Sequence, residues 1–206
     1  MSGPAQKPPS HKTLDSNLIG AAEMMLGRQS GLSKLDLSAA GVGLSFYGLL
    51  LTGLIDAASV SITFDAYNAA ETDPTTGKPT YILGSLISAF AGYAASLFAL
   101  YLLCRTPQEQ ARFPIALVAQ NWASPVLSLV FLPIFWITSV LAVDQQSGAS
   151  LAPFLVAGSI AILVLAGVRL LRISLDVTLA KAVALFLMTT AVSIVVREGF
   201  SSLLGL

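Results

Sequence analysis

The chain has 206 residues, of which 55% are hydrophobic and 11% are charged, and its mean hydropathy is +0.78. A soluble domain carries about 25% charged residues, so this composition could not cover a water-facing surface and indicates a protein dissolved in lipid. The zero net charge excludes the basic footprint of a nucleic-acid-binding protein. With one cysteine and one histidine, we expect no disulfide, no Cys/His zinc site, no cofactor and no Ser–His or Cys–His catalytic pair.

The N-terminal part of the sequence is polar. Residues 1–37 contain no continuous apolar stretch, so we expect a cytoplasmic tail without a cleavable signal peptide, followed by a transmembrane domain over 38–206. Asp15 or Ser16 could cap a short amphipathic helix that reaches Leu26, with Gly27 and Gly31 ending it. Its apolar face would hold Leu18, Ala22 and Met25. Such a helix suits the headgroup region of the membrane, and an ordinary linker beside the first span is the alternative.

Five stretches are long and apolar enough to cross the membrane. A hydrocarbon core of roughly 30 Å needs about 20 residues per helix, and lipid leaves the backbone no partner except itself, so these runs must be helical. The predicted fold class is therefore all-α, a bundle of five transmembrane helices. The spans cover about 39–63, 80–104, 114–142, 151–171 and 179–196.

The fifth span is the shortest of the five. We expect it to end near Val196, with Arg197 at the outer interface and the residues that follow lying along the membrane surface. The alternative is a helix that continues to Leu206.

Most basic residues lie on one side of the membrane in this topology. If every span crosses, nine of the eleven Lys and Arg residues lie on the side of the N-terminus, and only Lys78 and Arg197 lie on the other. The nine are Lys7, Lys12, Arg28, Lys34, Arg105, Arg112, Arg169, Arg172 and Lys181. Because short cytoplasmic loops carry the positive excess, we expect a multi-pass protein of a bacterial inner membrane with a cytoplasmic N-terminus and an outside C-terminus.

Asp56 is the acidic residue well inside a predicted span. An intramembrane carboxylate is costly and is by default a candidate proton or cation site. The structural alternative is that Asp56 only accepts hydrogen bonds from hydroxyl groups at a similar depth. We expect those hydroxyls on Ser85 and Ser88, or on Thr189 and Ser193.

Small residues recur every fourth position along the second span. They are Gly84, Ser88, Gly92 and Ser96. Such a face allows another helix to approach closely, and we expect the partner helix to come from the same chain, a second protomer being the alternative.

The third span combines polar residues with two prolines. Each proline removes a helical N–H and clashes with the carbonyl four residues earlier, so Pro125 frees the carbonyl of Asn121 and Pro133 frees that of Leu129. Asn121 and Ser124 place polar groups beside the first break and, with Asp56, form the candidate intramembrane polar site. Kinked spans of this kind line cavities in transporters, but they also occur as static bends.

Just before the third span, Thr106, Pro107 and Glu109 form a capping-box pattern that predicts one or two helical turns before Pro114. Arg105 and Glu109 have the spacing of a pair.

Two short stretches carry a family resemblance. The segment Phe113–Pro125 (FPIALVAQNWASP) resembles the middle helix of small bacterial membrane proteins without an established function, and Leu44–Leu51 (LSFYGLLL) is similar to their first span. Those proteins share the five-span count and cytoplasmic N-terminus of the Yip family, whose eukaryotic members act in membrane traffic. The resemblance implies no catalytic residues. The polar N-terminal signature of the eukaryotic Yip proteins is not present, so a trafficking role is not implied.

These features favour a non-enzymatic scaffold or accessory subunit that acts through helix–helix contacts. Its expected partners are the lipid bilayer and either another membrane protein or further copies of the chain. The alternative function is a small transporter or channel component that uses Asp56 as its titrating residue and the Asn121–Pro125 break as its hinge.

Overall fold

A computed structural model describes residues 12–68, 77–143 and 152–205 of the chain. Within these ranges the secondary structure is helical, without a strand, and confirms the all-α class. The elements are α1 (Leu14–Met25), a 3₁₀ helix (Gln29–Lys34), α2 (Ala39–Asn68), α3 (Lys78–Leu103), α4 (Pro107–Val143), α5 (Ala152–Leu175) and α6 (Leu179–Leu204). Helices α2 to α6 are each long and apolar enough to cross a membrane, as the five predicted spans require.

Helix α4 is the centre of the bundle. It packs along α2 and α5 and also contacts α1, whereas α3 packs chiefly along α6. Along the first half of α4, Val118, Ala119 and Trp122 are buried. One buried cluster joins α1 to α4 and α5, and a second joins α3, α4, α5 and α6. Because consecutive helices alternate in direction, both clusters lie in the half of the bundle that contacts α1, which we call the α1 end; the opposite half is the far end.

The start of α4 follows the predicted capping pattern. The backbone N–H of Glu109 donates to the side-chain oxygen of Thr106 over 3.3 Å, and the Glu109 carboxylate accepts from the backbone N–H of Arg105. The helix continues through Pro114 without interruption, since one missing hydrogen bond does not end a helix held on both sides. The expected pairing between the Arg105 and Glu109 side chains is replaced by an ion pair between Glu109 and Lys181 of α6.

The expectation that the fifth span ends near Val196 is wrong. Helix α6 continues through Arg197 and Glu198 to Leu204, where Gly205 adopts a left-handed conformation with φ of 69°. Between 197 and 204 only Gly199 disfavours a helix, and one glycine costs about 1 kcal/mol. The segment after Val196 is therefore part of the helix, and Gly205 ends it as a C-terminal cap.

Helix α1 is packed into the bundle. Met24 is fully buried against α4 and α5 with its neighbours Ala21 and Met25, whereas Leu18 and Ala22 of the predicted apolar face are only partly buried at the edge of this cluster. Gly27, at φ of 87°, ends α1 as predicted. The N–H groups of Gly27 and Arg28 donate to the carbonyls of Met24 and Glu23, both over 2.9 Å, which is the Schellman pattern.

The 3₁₀ helix fixes α1 in place from the other side. A Cβ at Gly20 would lie 2.8 Å from the carbonyl oxygen of Gly31, so the two backbones are in direct contact. Asn17 accepts the N–H of Asp36 over 2.7 Å, and Glu23 forms an ion pair with Lys34. Residues 12–36 thus form a folded unit that covers the α1 end; residues 1–11 of the predicted tail lie outside the described part of the chain.

Candidate functional site

Asn121 is the centre of a polar network that joins three helices. Its side chain is fully buried, its Nδ2 donates to the hydroxyl of Ser45 on α2 over 2.7 Å, and its Oδ1 accepts from the hydroxyl of Tyr93 on α3. Ser45 in turn donates to the carbonyl of Val42 over 2.7 Å. A buried amide in lipid must find partners for both of its ends, and here each end has one. The network therefore fixes α2, α3 and α4 relative to one another.

The proline break at Pro125 is closely packed. Pro125 is fully buried, and a Cβ added to Gly48 of α2 would overlap the carbonyl oxygen of Asn121 that this proline frees. Only a glycine at position 48 allows α2 to approach so closely. Pro133, in contrast, is exposed, as is Leu129, whose carbonyl it frees. Helix α4 runs through both prolines as one element, and the first break faces a neighbouring backbone.

Asp56 lies apart from this network. The hydroxyl of Ser128 on α4 donates to its carboxylate over 2.8 Å. This partner differs from the four hydroxyls expected from the sequence, because α2 packs chiefly along α4 and, within the described residues, does not contact α6. Asp56 is half-buried, and none of the ion pairs among the described residues includes it. Ser128 follows Asn121 by seven residues, so Asp56 binds α4 about 10 Å further along the helix.

Ser124 faces a third environment. Its hydroxyl donates to the carbonyl of Gln120 over 2.9 Å, and its side chain lines a pocket. The three residues of the predicted polar site therefore do not form one site. Asn121 belongs to the network, Asp56 binds Ser128, and Ser124 lines the pocket. Helical spacing placed Asn121 and Ser124 near each other along the chain but could not say that they point to different neighbours.

The small-residue face of α3 packs against α6. Gly84, Ser88 and Gly92 are buried, and a Cβ at Gly92 would lie 2.8 Å from the carbonyl oxygen of Ser193. Ser96 is half-buried and donates to the carbonyl of Tyr93 over 2.7 Å. The helix that uses this face in the structure therefore belongs to the same chain.

The pocket has a volume of about 290 Å³ and lies between α3, α4, α5 and α6, with Met25 of α1 at its edge. Its walls combine apolar side chains with hydroxyl and amide groups, and no charged side chain lines it. The polar members include Tyr93, Gln120, Ser124, Thr189, Thr190 and Ser193. Sequence reasoning did not predict this pocket; the available signal was the Thr-Thr and Ser positions of the fifth span at the depth of Gln120.

Among the residues that the structure describes, no group of three His, Cys, Asp or Glu side chains could hold a metal ion. The architecture defines the class of this protein: it is a multi-pass integral membrane protein, with five helices of spanning length in the part of the chain that the structure describes. No protein-family model matches the chain, and neither a characterised protein nor a solved structure is significantly similar to it. The resemblance to small bacterial five-span proteins accordingly stays a prediction.

Proposed function

We propose that this protein is a non-enzymatic scaffold or accessory subunit of a bacterial plasma membrane, acting through helix–helix contacts. Its N-terminus is cytoplasmic in this proposal, because Arg28, Lys34, Arg112, Arg169 and Lys181 all belong to the α1 end, and short cytoplasmic loops carry the positive excess. The likeness to small bacterial five-span proteins is consistent with this location.

The observation that carries the proposal is the exposed first half of α5. Between residues 153 and 165 most side chains are exposed, with Phe154 at 75%, whereas Leu170, Leu171 and Leu175 in the second half are buried. The exposed half carries the small residues Ala157, Gly158 and Ala161 on one side. Lipid tails are already apolar, so close approach between small residues is what favours helix association in a membrane. The face therefore suits a transmembrane helix of another protein or of a second copy.

The test is co-purification in mild detergent after cross-linking in the membrane, with mass-spectrometric identification of what is captured. We expect a defined partner or homo-oligomer, and Ala161→Phe should reduce its recovery at least fivefold by preventing close approach. The matched control is Leu83→Phe, because Leu83 is 61% exposed on α3 and lies outside the small face. A monomer in both wild type and control would contradict the proposal.

A transporter or channel component is the second candidate, favoured by Asp56. A carboxylate inside a span with one serine hydroxyl as its hydrogen-bond partner is a reasonable proton or cation site. The Asn121–Pro125 segment does not support a hinge, since both ends of the Asn121 amide are bonded and Gly48 packs on its carbonyl.

Flux in proteoliposomes tests this second candidate. Asp56→Asn should abolish a pH-dependent flux while the protein still inserts, because the amide cannot titrate. Asp15→Asn, at an exposed carboxylate of α1, is the control that should leave the flux unchanged. Equal flux in wild type and Asp56→Asn would remove the transporter hypothesis.

A further inference from the structure

We propose that the pocket between the helices binds an uncharged, lipid-soluble molecule that carries one hydrogen-bonding group on an apolar ring or chain. The walls supply Leu127, Leu170 and Phe186 as apolar surface and contain no ionisable acid or base apart from the Tyr93 phenol, whose hydroxyl is bonded to Asn121. A charged ligand would lose its hydration there without a counter-charge. A neutral ligand has no such cost.

The size of the pocket sets the size of the ligand. An apolar cavity of about 150 Å³ binds benzene, and this pocket holds about 290 Å³. It can therefore accommodate the equivalent of two fused aromatic rings. That volume matches a ring with a carbonyl or hydroxyl substituent, such as the head of a lipid-soluble ketone or phenol.

Gln120 provides the polar anchor. Among the described residues its side-chain amide forms no hydrogen bond, although it lines a pocket in the interior of a span. An amide in a membrane interior requires partners. The hydroxyls of Ser124 and Thr189 donate to carbonyls of their own helices, so they can offer only acceptor capacity to a ligand. The amide of Gln120 can donate to a ligand carbonyl or accept from a ligand hydroxyl.

The pocket is reached from the bilayer. Leu163 of α5 and Ile194 of α6 both line it, and they are 38% and 55% exposed on the surface that faces lipid. A ligand dissolved in the membrane can therefore enter between these two helices. On α5 the pocket residues Leu163, Ala166 and Leu170 lie on the opposite side of the helix from Ala157 and Ala161, at 3.6 residues per turn. The proposed scaffold face and the pocket are thus independent.

The probe for this site is 1-naphthol, compared with naphthalene and with the anion 1-naphthoate. Binding is measured by equilibrium dialysis against the protein in phosphatidylcholine nanodiscs, with empty nanodiscs subtracted to remove partition into lipid. We expect saturable binding of one 1-naphthol per protein molecule and none of 1-naphthoate. Thr190→Phe should abolish this binding by filling the pocket. Val195→Phe, at a position 71% exposed on the same helix and outside the pocket, should leave it unchanged.

Gln120→Leu tests the anchor with little change in volume. Since a hydrogen bond contributes about 0.5–1.5 kcal/mol, we expect the affinity for 1-naphthol to fall about two- to tenfold while that for naphthalene stays the same. Equal binding in wild type and Thr190→Phe would overturn the site, as would preferential binding of 1-naphthoate. An unchanged affinity for 1-naphthol in Gln120→Leu would overturn the role of the amide.

Discussion

The two ends of the bundle are stabilised in different ways. At the α1 end, both buried apolar clusters come together, and ion pairs join Glu109 to Lys181 and Arg112 to Asp176. At the far end, the described contacts include the buried small residues Gly84 and Ser88 of α3, the ring contact between Phe64 and Tyr81, and the hydrogen bond from Ser128 to Asp56. The α1 end therefore resembles the core of a water-soluble protein, whereas the far end relies on close helix packing and on lipid to cover its side chains.

This difference indicates that the α1 end contributes most to the stability of the fold and that the far end has the surface available for other contacts. A helix end that is already packed has little surface left for a partner. The first half of α5, at the far end, retains such a surface, and the pocket lies between the two regions. Changes at the α1 end should therefore alter stability, and changes on exposed far-end surfaces should alter association.

The largest effect is expected at Gly48, which is the contact between α2 and the broken segment of α4. Gly48→Leu would force the side chain into the Asn121 carbonyl and the Trp122 ring, so α2 must move and the polar network must break. Overpacking costs about 1–3 kcal/mol or more, and each buried polar group of the network that is left unpaired adds about 1–3 kcal/mol, so the total exceeds the cost of truncating one core side chain. Thermal unfolding in detergent should show a drop of several degrees or failure to purify as a monodisperse protein.

Gly53 is the matched control for that change. It is on the same helix, and no atom lies within 4 Å of a Cβ built there. Gly53→Leu should leave the unfolding temperature unchanged or raise it slightly. If both variants lose the same stability, the close contact between Gly48 and Asn121 is not what holds the two helices.

A smaller effect is expected from Met24→Ala. Met24 is fully buried where α1 meets α4 and α5, and truncating a buried methionine costs about 2–5 kcal/mol. Part of this cost should appear as local release of α1, which limited proteolysis of residues 12–36 can detect. Leu26→Ala, at a side chain 63% exposed at the end of the same helix, should not increase cleavage.

The smallest effect is a pH dependence of α1 docking. The hydrogen bond from Lys34, followed by that from Ser30, lowers the pKa of Glu23 below its ordinary value of 4.5. A carboxylate with a lowered pKa in the folded state contributes stability that is present above its ordinary pKa and is lost as the pH falls through the folded value. Cleavage of residues 12–36 by an acid-active protease should therefore increase below about pH 4.5 in wild type. The increase should be much weaker in Glu23→Gln, and an identical profile in both would contradict the role of this carboxylate.

The sequence was sufficient for features that depend on one helix at a time. Length and apolarity located the five spans, the capping pattern at Thr106 located the start of α4, and Gly27 located the end of α1. Each of these follows from local backbone chemistry. The spacing of Gly84, Ser88 and Gly92 also identified a packing face, because a four-residue period places small side chains on one side of a helix.

Features that depend on how helices are paired were not accessible in the same way. Hydroxyl partners for Asp56 were expected on α3 and α6, whereas its partner is on α4, because depth in the membrane does not say which neighbouring helix a side chain faces. The partners of Asn121 come from α2 and α3, whose rotation about their axes is not encoded locally. The pocket lies between five helices, so its position depends on how all of them pack and cannot be read from any one of them. The end of α6 was predicted too early because Arg197 and Glu198 were expected to mark the edge of the membrane, but a helix can continue through charged residues.

The docking of α1 has a consequence for biogenesis. The surface that receives Met24 and Met25 is built from Val118, Ala119, Trp122, Ala166 and Leu170. During translation, α1 leaves the ribosome before the five spans, but its binding surface is complete only after residue 170 has been synthesised and the fourth span has been inserted. Helix α1 is therefore made before the spans but reaches its final position only after the fourth of them is in place. Until then Met24, Met25 and Leu35 remain uncovered, which makes this interval the stage of synthesis at which the N-terminal segment is open to chaperones and proteases.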